Sequence, residues 1–189
     1  MTSTPTEYFE RIYAGDEDPW GFATKWYERR KYALTAASLP AERYRSAFEP
    51  GCSIGALTEQ LAPRCDRILA VDHMDKPLAA AIRRLGHLPN VTFQHRMIPG
   101  EWPEGPFDLL VLSEIAYYFA ADELRGLMAR AVASLEANGT VVAVHWSGET
   151  DYPLTGRQTH ELLGATAGFE AVVHHVDEQF WLDIWRYVP

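Results

Sequence analysis

The chain has 189 residues, 47% of them hydrophobic, with a formal charge of -9 and two cysteines. This length fits one domain that buries roughly 70% of its unfolded surface. The acidic balance disfavours nucleic acid as a partner or substrate, because Lys and Arg supply most of the non-specific affinity for phosphates. Cys52 and Cys65 form no disulfide framework and stand in no metal-ligand spacing. The first residues lack a charged-then-apolar leader, and no apolar run reaches about 18 residues. A cytoplasmic protein without a membrane segment is therefore expected.

The first forty residues crowd together Tyr8, Phe9, Tyr13, Trp20, Phe22, Trp26, Tyr27 and Tyr32 with Arg29, Arg30 and Lys31. Helical spacing fits Trp26 to Leu39, which Pro40 ends. From Tyr44 the pattern alternates: strands are predicted near 44–49, 67–72, 91–94, 107–112 and 140–146, and helices near 55–62, 75–86 and 121–136. Such alternation implies right-handed crossovers and a mainly parallel sheet covered on both faces. Asn138-Gly139 reads as a helix stop before the fifth strand. The end departs from this rhythm. A short helix near 155–166 leads into β-rich runs at 169–177 and 179–188, and so short a link permits only an antiparallel pair.

One stretch carries most of the functional information. Tyr44 to Phe48 runs as an apolar segment into Glu49-Pro-Gly-Cys-Ser-Ile-Gly55, and Ile68-Leu-Ala-Val-Asp72 then stops at an acid. Glycines let the backbone pass close to a ligand, and a carboxylate at the end of the next strand accepts ribose hydroxyls. A dinucleotide fingerprint would bring close glycines and a helix N-terminus to a pyrophosphate. Here Glu49 precedes the turn, Ser53 stands where a middle glycine is expected, and no phosphate-seeking Lys follows. An acid at Glu49 repels a pyrophosphate and suits an ammonium group. The pattern favours S-adenosylmethionine over NAD.

The chain resembles the class I S-adenosylmethionine-dependent methyltransferases, and more narrowly the nodulation protein S family, whose members methylate the amino group of a deacetylated chitooligosaccharide. The narrower resemblance rests on Asp16-Glu-Asp-Pro-Trp-Gly-Phe22, Trp26-Tyr-Glu-Arg-Arg-Lys-Tyr32, Glu49-Pro-Gly-Cys52 and Phe107-Asp-Leu-Leu-Val-Leu-Ser-Glu-Ile-Ala-Tyr-Tyr118, and weakens after about Trp146. It implies an α/β, Rossmann-like fold with a mainly parallel seven-stranded sheet, a C-terminal antiparallel hairpin and an N-terminal helical lid. Residues 1–189 would be one methyltransferase domain, with 1–40 as the lid and 41–189 as the core.

The resemblance also implies roles for individual residues. Glu49, Gly51 and Gly55 would surround the methionine part of the cofactor, with Cys52 lending backbone. Asp72 would hold the ribose, with His73 beside it, unless it only caps the helix that begins at Asp75. Related enzymes often carry an acid where Met97 stands. Met97 would pack on the adenine face or in the core, leaving backbone groups of Met97 and Ile98 to read the base. Trp20, Tyr27 and Arg30 read as lid residues, the aromatic faces for a sulfonium and the guanidinium for a carboxylate. The alternative is an amphipathic helix with solvated arginines.

Acceptor-side groups are expected beyond the fourth strand, at Ser113, Glu114, Tyr117 and Tyr118. Glu114 is the first candidate to orient an amine and take its proton, and His145 is the other possible base. Each has a plain structural alternative, as a helix cap and a strand-end histidine. Of Tyr117 and Tyr118, one is expected to face the core and the other to offer a sugar-stacking face. The remaining histidines, including His174 and His175, show no ligand spacing, so no metal site is expected. A small-molecule or saccharide acceptor is the expected partner.

Overall fold

The structure, a computed structural model, describes residues 2–189. Six α-helices and seven strands follow one another as α1 (Thr6–Tyr13), α2 (Trp26–Ser38), β1 (Ala47–Pro50), α3 (Ala56–Leu61), β2 (Ile68–Asp72), α4 (Asp75–Leu85), β3 (Val91–His95), β4 (Phe107–Ser113), α5 (Ala121–Ser134), β5 (Leu135–Trp146), α6 (Gly156–Gly164), β6 (Phe169–Val176) and β7 (Phe180–Tyr187). The strands form a mixed sheet in the order β3-β2-β1-β4-β5-β7-β6. The described residues divide into two compact units, residues 5–101 and residues 102–189 with residues 2–4.

In residues 5–101, β1 pairs with β2 and β2 with β3, all parallel, with Phe48 opposite Leu69 and Asp72 opposite His95. The side chains of Phe48, Leu61, Ile68 and Leu85 are fully buried there. Helix α1 was not foreseen from the sequence. It has only eight residues, too few to persist by propensity, and is held by burial of Tyr13. Helix α2 divides its basic run between surface and core. Arg29 is exposed, but Lys31 is fully buried, its Nζ 2.7 Å from Glu28 and over the rings of Tyr27 and Tyr32. The buried face of α2 is Glu28, Lys31, Tyr32 and Thr35, a polar stripe that hydropathy periodicity does not register.

In residues 102–189, β4 and β5 pair in parallel, and β7 lies antiparallel to both β5 and β6. Strands β4 and β5 are apolar and buried on both faces, as a covered sheet requires. Asn138-Gly139 is not a helix stop. Helix α5 already ends at Ser134, and the pair lies in an irregularity of β5 where the register moves from Phe107–Leu135 to Leu109–Thr140. Asn138 takes φ of 65° in that irregularity, a conformation its short polar side chain tolerates. Helix α6 opens with a full capping box, Thr155 accepting from Gln158 N and Gln158 returning the bond.

Candidate functional site

Within residues 5–101, two acids stand at the carboxyl ends of the adjacent strands β1 and β2. Glu49 is 2% exposed and accepts a hydrogen bond from the Thr58 hydroxyl of α3 at 2.6 Å. Burial raises its pKa from an ordinary 4.5 to about 7; the Thr58 bond holds it down, and the nearby charge of Asp72 raises it further. Asp72 is also raised, chiefly by burial, against hydrogen bonds from the turn that follows it. Its Oδ2 accepts from Ser53 N at 2.8 Å and its Oδ1 from Met74 N at 2.9 Å. Asp72 therefore does bind the turn leading into α4. A carboxylate oxygen has a second acceptor position, and both oxygens together match a vicinal diol.

The turn between β1 and α3 places Gly51 at φ of 71°, Ser53 at 47° and Gly55 at 76°. Gly55 has a packing reason for lacking a side chain. A Cβ there would lie 3.1 Å from Leu85 Cδ1 and 3.3 Å from the Ala81 Cβ of α4. Cys52 lends its backbone to the sheet, its N–H donating to Val71 O at 3.0 Å, and burial raises its thiol pKa. Ser53 is explained by a contact the sequence does not display. Its hydroxyl lies 2.9 Å from the Tyr13 hydroxyl of α1, so it ties the N-terminal segment to the turn. Burial first and the Asp72 charge second push the Tyr13 phenol up.

Trp20 lies against Tyr13 at 5.3 Å and stacks with Phe22 at 5.5 Å. Tyr27 carries Lys31 over its ring, and Tyr27 and Arg30 are half-buried. His73 meets Phe9 edge-on at 5.4 Å, and its carbonyl pairs with His95 Nε2 at 2.8 Å. Met97 is 45% exposed, which excludes the core-packing alternative. Its N–H, expected to read the adenine, donates instead to the Glu101 carboxylate at 2.6 Å. A carboxylate four residues later thus meets the backbone of position 97, and Ile98 stands half-buried between them in sequence. Only the folded loop reveals that contact, because Glu101 lies four residues beyond the position that the sequence singles out.

Within residues 102–189, Ser113 ends β4 opposite Val144 of β5. Glu114 follows at φ of 53°, a left-handed conformation that costs a non-glycine residue about 1–3 kcal/mol. Its N–H donates to Val144 O at 2.9 Å, and its Oε2 accepts from the Tyr117 hydroxyl and from Trp146 N at 3.1 Å. Tyr117 is buried and Tyr118 half-buried, dividing core from surface as expected. Burial first and the Glu114 charge second push the Tyr117 phenol up. Tyr152, not singled out from sequence, completes a ring cluster at 5.0 Å from Tyr117 and 4.6 Å from Tyr118. His145 is placed differently from a general base. It is fully buried, Nε2 accepts the Ala116 amide at 3.1 Å, and Nδ1 lies 3.0 Å from His160 Nε2. Both nitrogens are engaged, so it has no position from which to take a substrate proton.

A mainly parallel sheet finished by an antiparallel hairpin, with acids ending its first two strands, is the Rossmann-like class I methyltransferase fold. The chain belongs to the nodulation protein S (NodS) family, whose sequence profile matches residues 7–180. Nodulation protein S of Bradyrhizobium diazoefficiens is 34% identical over 113 residues, covering 59% of this chain and 54% of the relative. The chain spans about half the length of the curated relatives it matches. Among solved structures, a candidate methyltransferase of Pseudomonas syringae shares 39% identity at a TM-score of 0.75, covering 86% of this chain and 99% of that one. The N-methyltransferase NodS of Bradyrhizobium japonicum WM9, solved with S-adenosyl-L-homocysteine, shares 22% identity at a TM-score of 0.84, covering 97% and 98%.

Proposed function

We propose that the chain is an S-adenosylmethionine-dependent methyltransferase that acts on the amine of a small molecule, with amino sugars and deacetylated chitooligosaccharides as the substrate class. The pair of buried acids, Glu49 and Asp72, carries this reading. Both are pushed toward the neutral form by burial, and a positively charged ligand offsets that cost whereas a pyrophosphate adds to it. The residues fit the cofactor on this count. When bound, S-adenosylmethionine supplies an electrophilic methyl group on a sulfonium. The complex of the Bradyrhizobium japonicum relative with S-adenosyl-L-homocysteine, and its name as an N-methyltransferase, support the cofactor and the acceptor atom.

In this reading Asp72 holds the ribose hydroxyls with His73 beside it, and Glu49 takes the ammonium group beside the turn of Gly51, Cys52 and Gly55. Glu101, Met97 and Ile98 attend the adenine, and Trp20, Tyr27 and Arg30 cover the methionine end. The N-terminal segment up to residue 40 serves as the cover. Ser113 and Glu114 orient the acceptor, and Glu114 takes its proton, since the amine must be neutral to act as a nucleophile. Tyr117 holds Glu114 in place, while Tyr118 and Tyr152 offer ring faces to a sugar. Alignment of donor and acceptor supplies most of the acceleration.

Two measurements test this. Titration calorimetry with S-adenosylhomocysteine is expected to show binding that Asp72→Ala weakens; absence of binding by folded protein would end the cofactor assignment. Transfer of labelled methyl to deacetylated chitooligosaccharides is expected at nitrogen. Label on oxygen would replace the N-acceptor, and binding without turnover over a panel of amines and saccharides would make this a cofactor-binding protein.

A further inference from the structure

Four titratable side chains from four elements form one hydrogen-bonded row within residues 102–189: His145 of β5, His160 of α6, Asp183 of β7 and His174 of β6. His145 Nδ1 lies 3.0 Å from His160 Nε2, His160 Nδ1 lies 2.5 Å from Asp183 Oδ2, and Asp183 Oδ1 lies 2.6 Å from His174 Nδ1. His145, His160 and Asp183 are buried, whereas His174 is exposed.

The two ends fix the direction of every bond. A backbone N–H only donates, so His145 Nε2, which meets the Ala116 amide, carries no proton. His145 then holds its proton on Nδ1 and donates to His160 Nε2. His160 in turn holds its proton on Nδ1 and donates to Asp183. A carboxylate only accepts, so counting from Asp183 gives the same answer. Asp183 remains ionised: burial opposes its charge, but the bonds from His160 and His174 outweigh that and keep its pKa below the ordinary value.

We propose that His160 and Asp183 are positioning residues: by fixing the tautomer of His145 they hold the Ala116 amide, and with it the turn that carries Glu114 and Tyr117. The catalytic consequence rests on the reading that this turn handles the acceptor. The turn needs such a hold, because Glu114 sits in a left-handed conformation that local sequence does not favour.

The row has no place for another proton. A second proton on His160 would occupy Nε2, force the His145 proton onto its own Nε2 and set it against the Ala116 N–H. A second proton on His145 would do so directly. Proton uptake therefore ejects the amide. Beside the row stand Tyr117, whose ring lies 5.0 Å from His145 and whose hydroxyl goes to Glu114, and the exposed Arg157–Glu161 pair of α6; farther along the same strands are Glu136 of β5, Glu170 of β6, and Arg186 and Tyr187 of β7. On β6, His175 lies 3.8 Å from Asp177; on β7, the Trp181 and Trp185 rings flank His160.

The test uses the full nitrogen-15-labelled chain without any acceptor. Long-range proton–nitrogen spectra near pH 7.5 are expected to show His145 and His160 both protonated at Nδ1 alone; an Nε2–H form or an imidazolium at either would overturn the proposal. In His160→Phe, exchange of the Ala116 amide is expected to rise by about tenfold or more, the loss of its one hydrogen bond to the His145 ring. Unchanged exchange would overturn it.

Asp183→Asn keeps an acceptor oxygen for His160, while exposed His174 is free to change tautomer. This variant is expected to retain the His145 tautomer and to move the acid onset of Ala116 exchange to lower pH, because the charge that favours an imidazolium is gone. An onset identical to that of the unaltered chain would refute the coupling, even if His160→Phe fails to fold. S-adenosylhomocysteine affinity is expected to stay within about twofold in Asp183→Asn, while kcat/KM for a deacetylated chitooligosaccharide falls with the same acid onset as Ala116 exchange. Failure of methyl transfer to any saccharide would remove the proposed acceptor and leave the tautomer and exchange results standing.

Discussion

Replacing Glu49 by Gln separates a buried acid that serves a cationic ligand from one that serves only the fold. Glu49 is raised to about 7 by burial, so near neutral pH about half the molecules carry it protonated. An ammonium group placed beside it favours the ionised form, and binding then expels the proton. At pH 6 about a tenth of the molecules are ready for the ligand, and at pH 8 about nine tenths, so affinity for S-adenosylhomocysteine is expected to rise about tenfold from pH 6 to pH 8. Calorimetry at pH 7 in two buffers of different ionisation enthalpy should read about half a proton released per ligand. In Glu49→Gln both effects should vanish, together with much of the affinity.

The stability of the ligand-free protein carries the opposite sign. Glu49 binds its proton more tightly folded than unfolded. Its contribution is therefore fully present below about 4.5 and is lost as pH rises through about 7, on the order of 3 kcal/mol. Glu49→Gln should thus flatten the fall in melting temperature between pH 5 and 8. Affinity independent of pH from 6 to 8, with no proton release, would refute the placement of an ammonium group at Glu49.

Asp72→Ala removes the acceptor proposed for two ribose hydroxyls, at about 1.5–3 kcal/mol for each charge-assisted bond. The Kd for S-adenosylhomocysteine should rise by two to four orders of magnitude, on the order of 3–6 kcal/mol in all; a change below threefold in folded protein would contradict the role. Gly55→Ala forces an alanine to φ of 76° and presses a methyl on Leu85 and Ala81, so thermal unfolding should show a loss of about 1–3 kcal/mol. Tyr13→Phe deletes the bond to the Ser53 hydroxyl, worth about 1 kcal/mol, and hydrogen exchange should rise in Thr6–Tyr13 while β1 and β2 keep their protection.

The alternation of strands and helices was legible because apolar runs such as Leu109–Leu112 and Val141–Val144 must be covered on both faces, and the short link before Phe180 permits only an antiparallel return. The two acids were legible because each stands where an apolar strand stops. What was not legible depends on contacts distant in sequence. Ser53 looked like a missing glycine and is the partner of Tyr13, 40 residues away. Met97 looked like a missing acid, yet Glu101 folds back onto its amide. Lys31 stands in a basic run with Arg29 and Arg30, and only the fold shows that the Glu28 carboxylate and two tyrosine rings let it be buried.

His145 shows where residue type and strand-end placement cease to be informative. A histidine after an apolar strand can serve as a base or as a strut, and the choice depends on what meets its two nitrogens. Ala116, His160 and, beyond it, Asp183 settle that here, and they come from three other segments of the chain. By itself the sequence determined the sheet, the hairpin and the pair of acids, because those follow from hydrophobic periodicity and from residues adjacent along one strand. The tertiary structure alone decided which groups meet the nitrogens of His145, which meet the Glu114 carboxylate, and the tie between Ser53 and Tyr13. Burial and hydrogen-bond partners set those properties, and both arise only when distant segments pack.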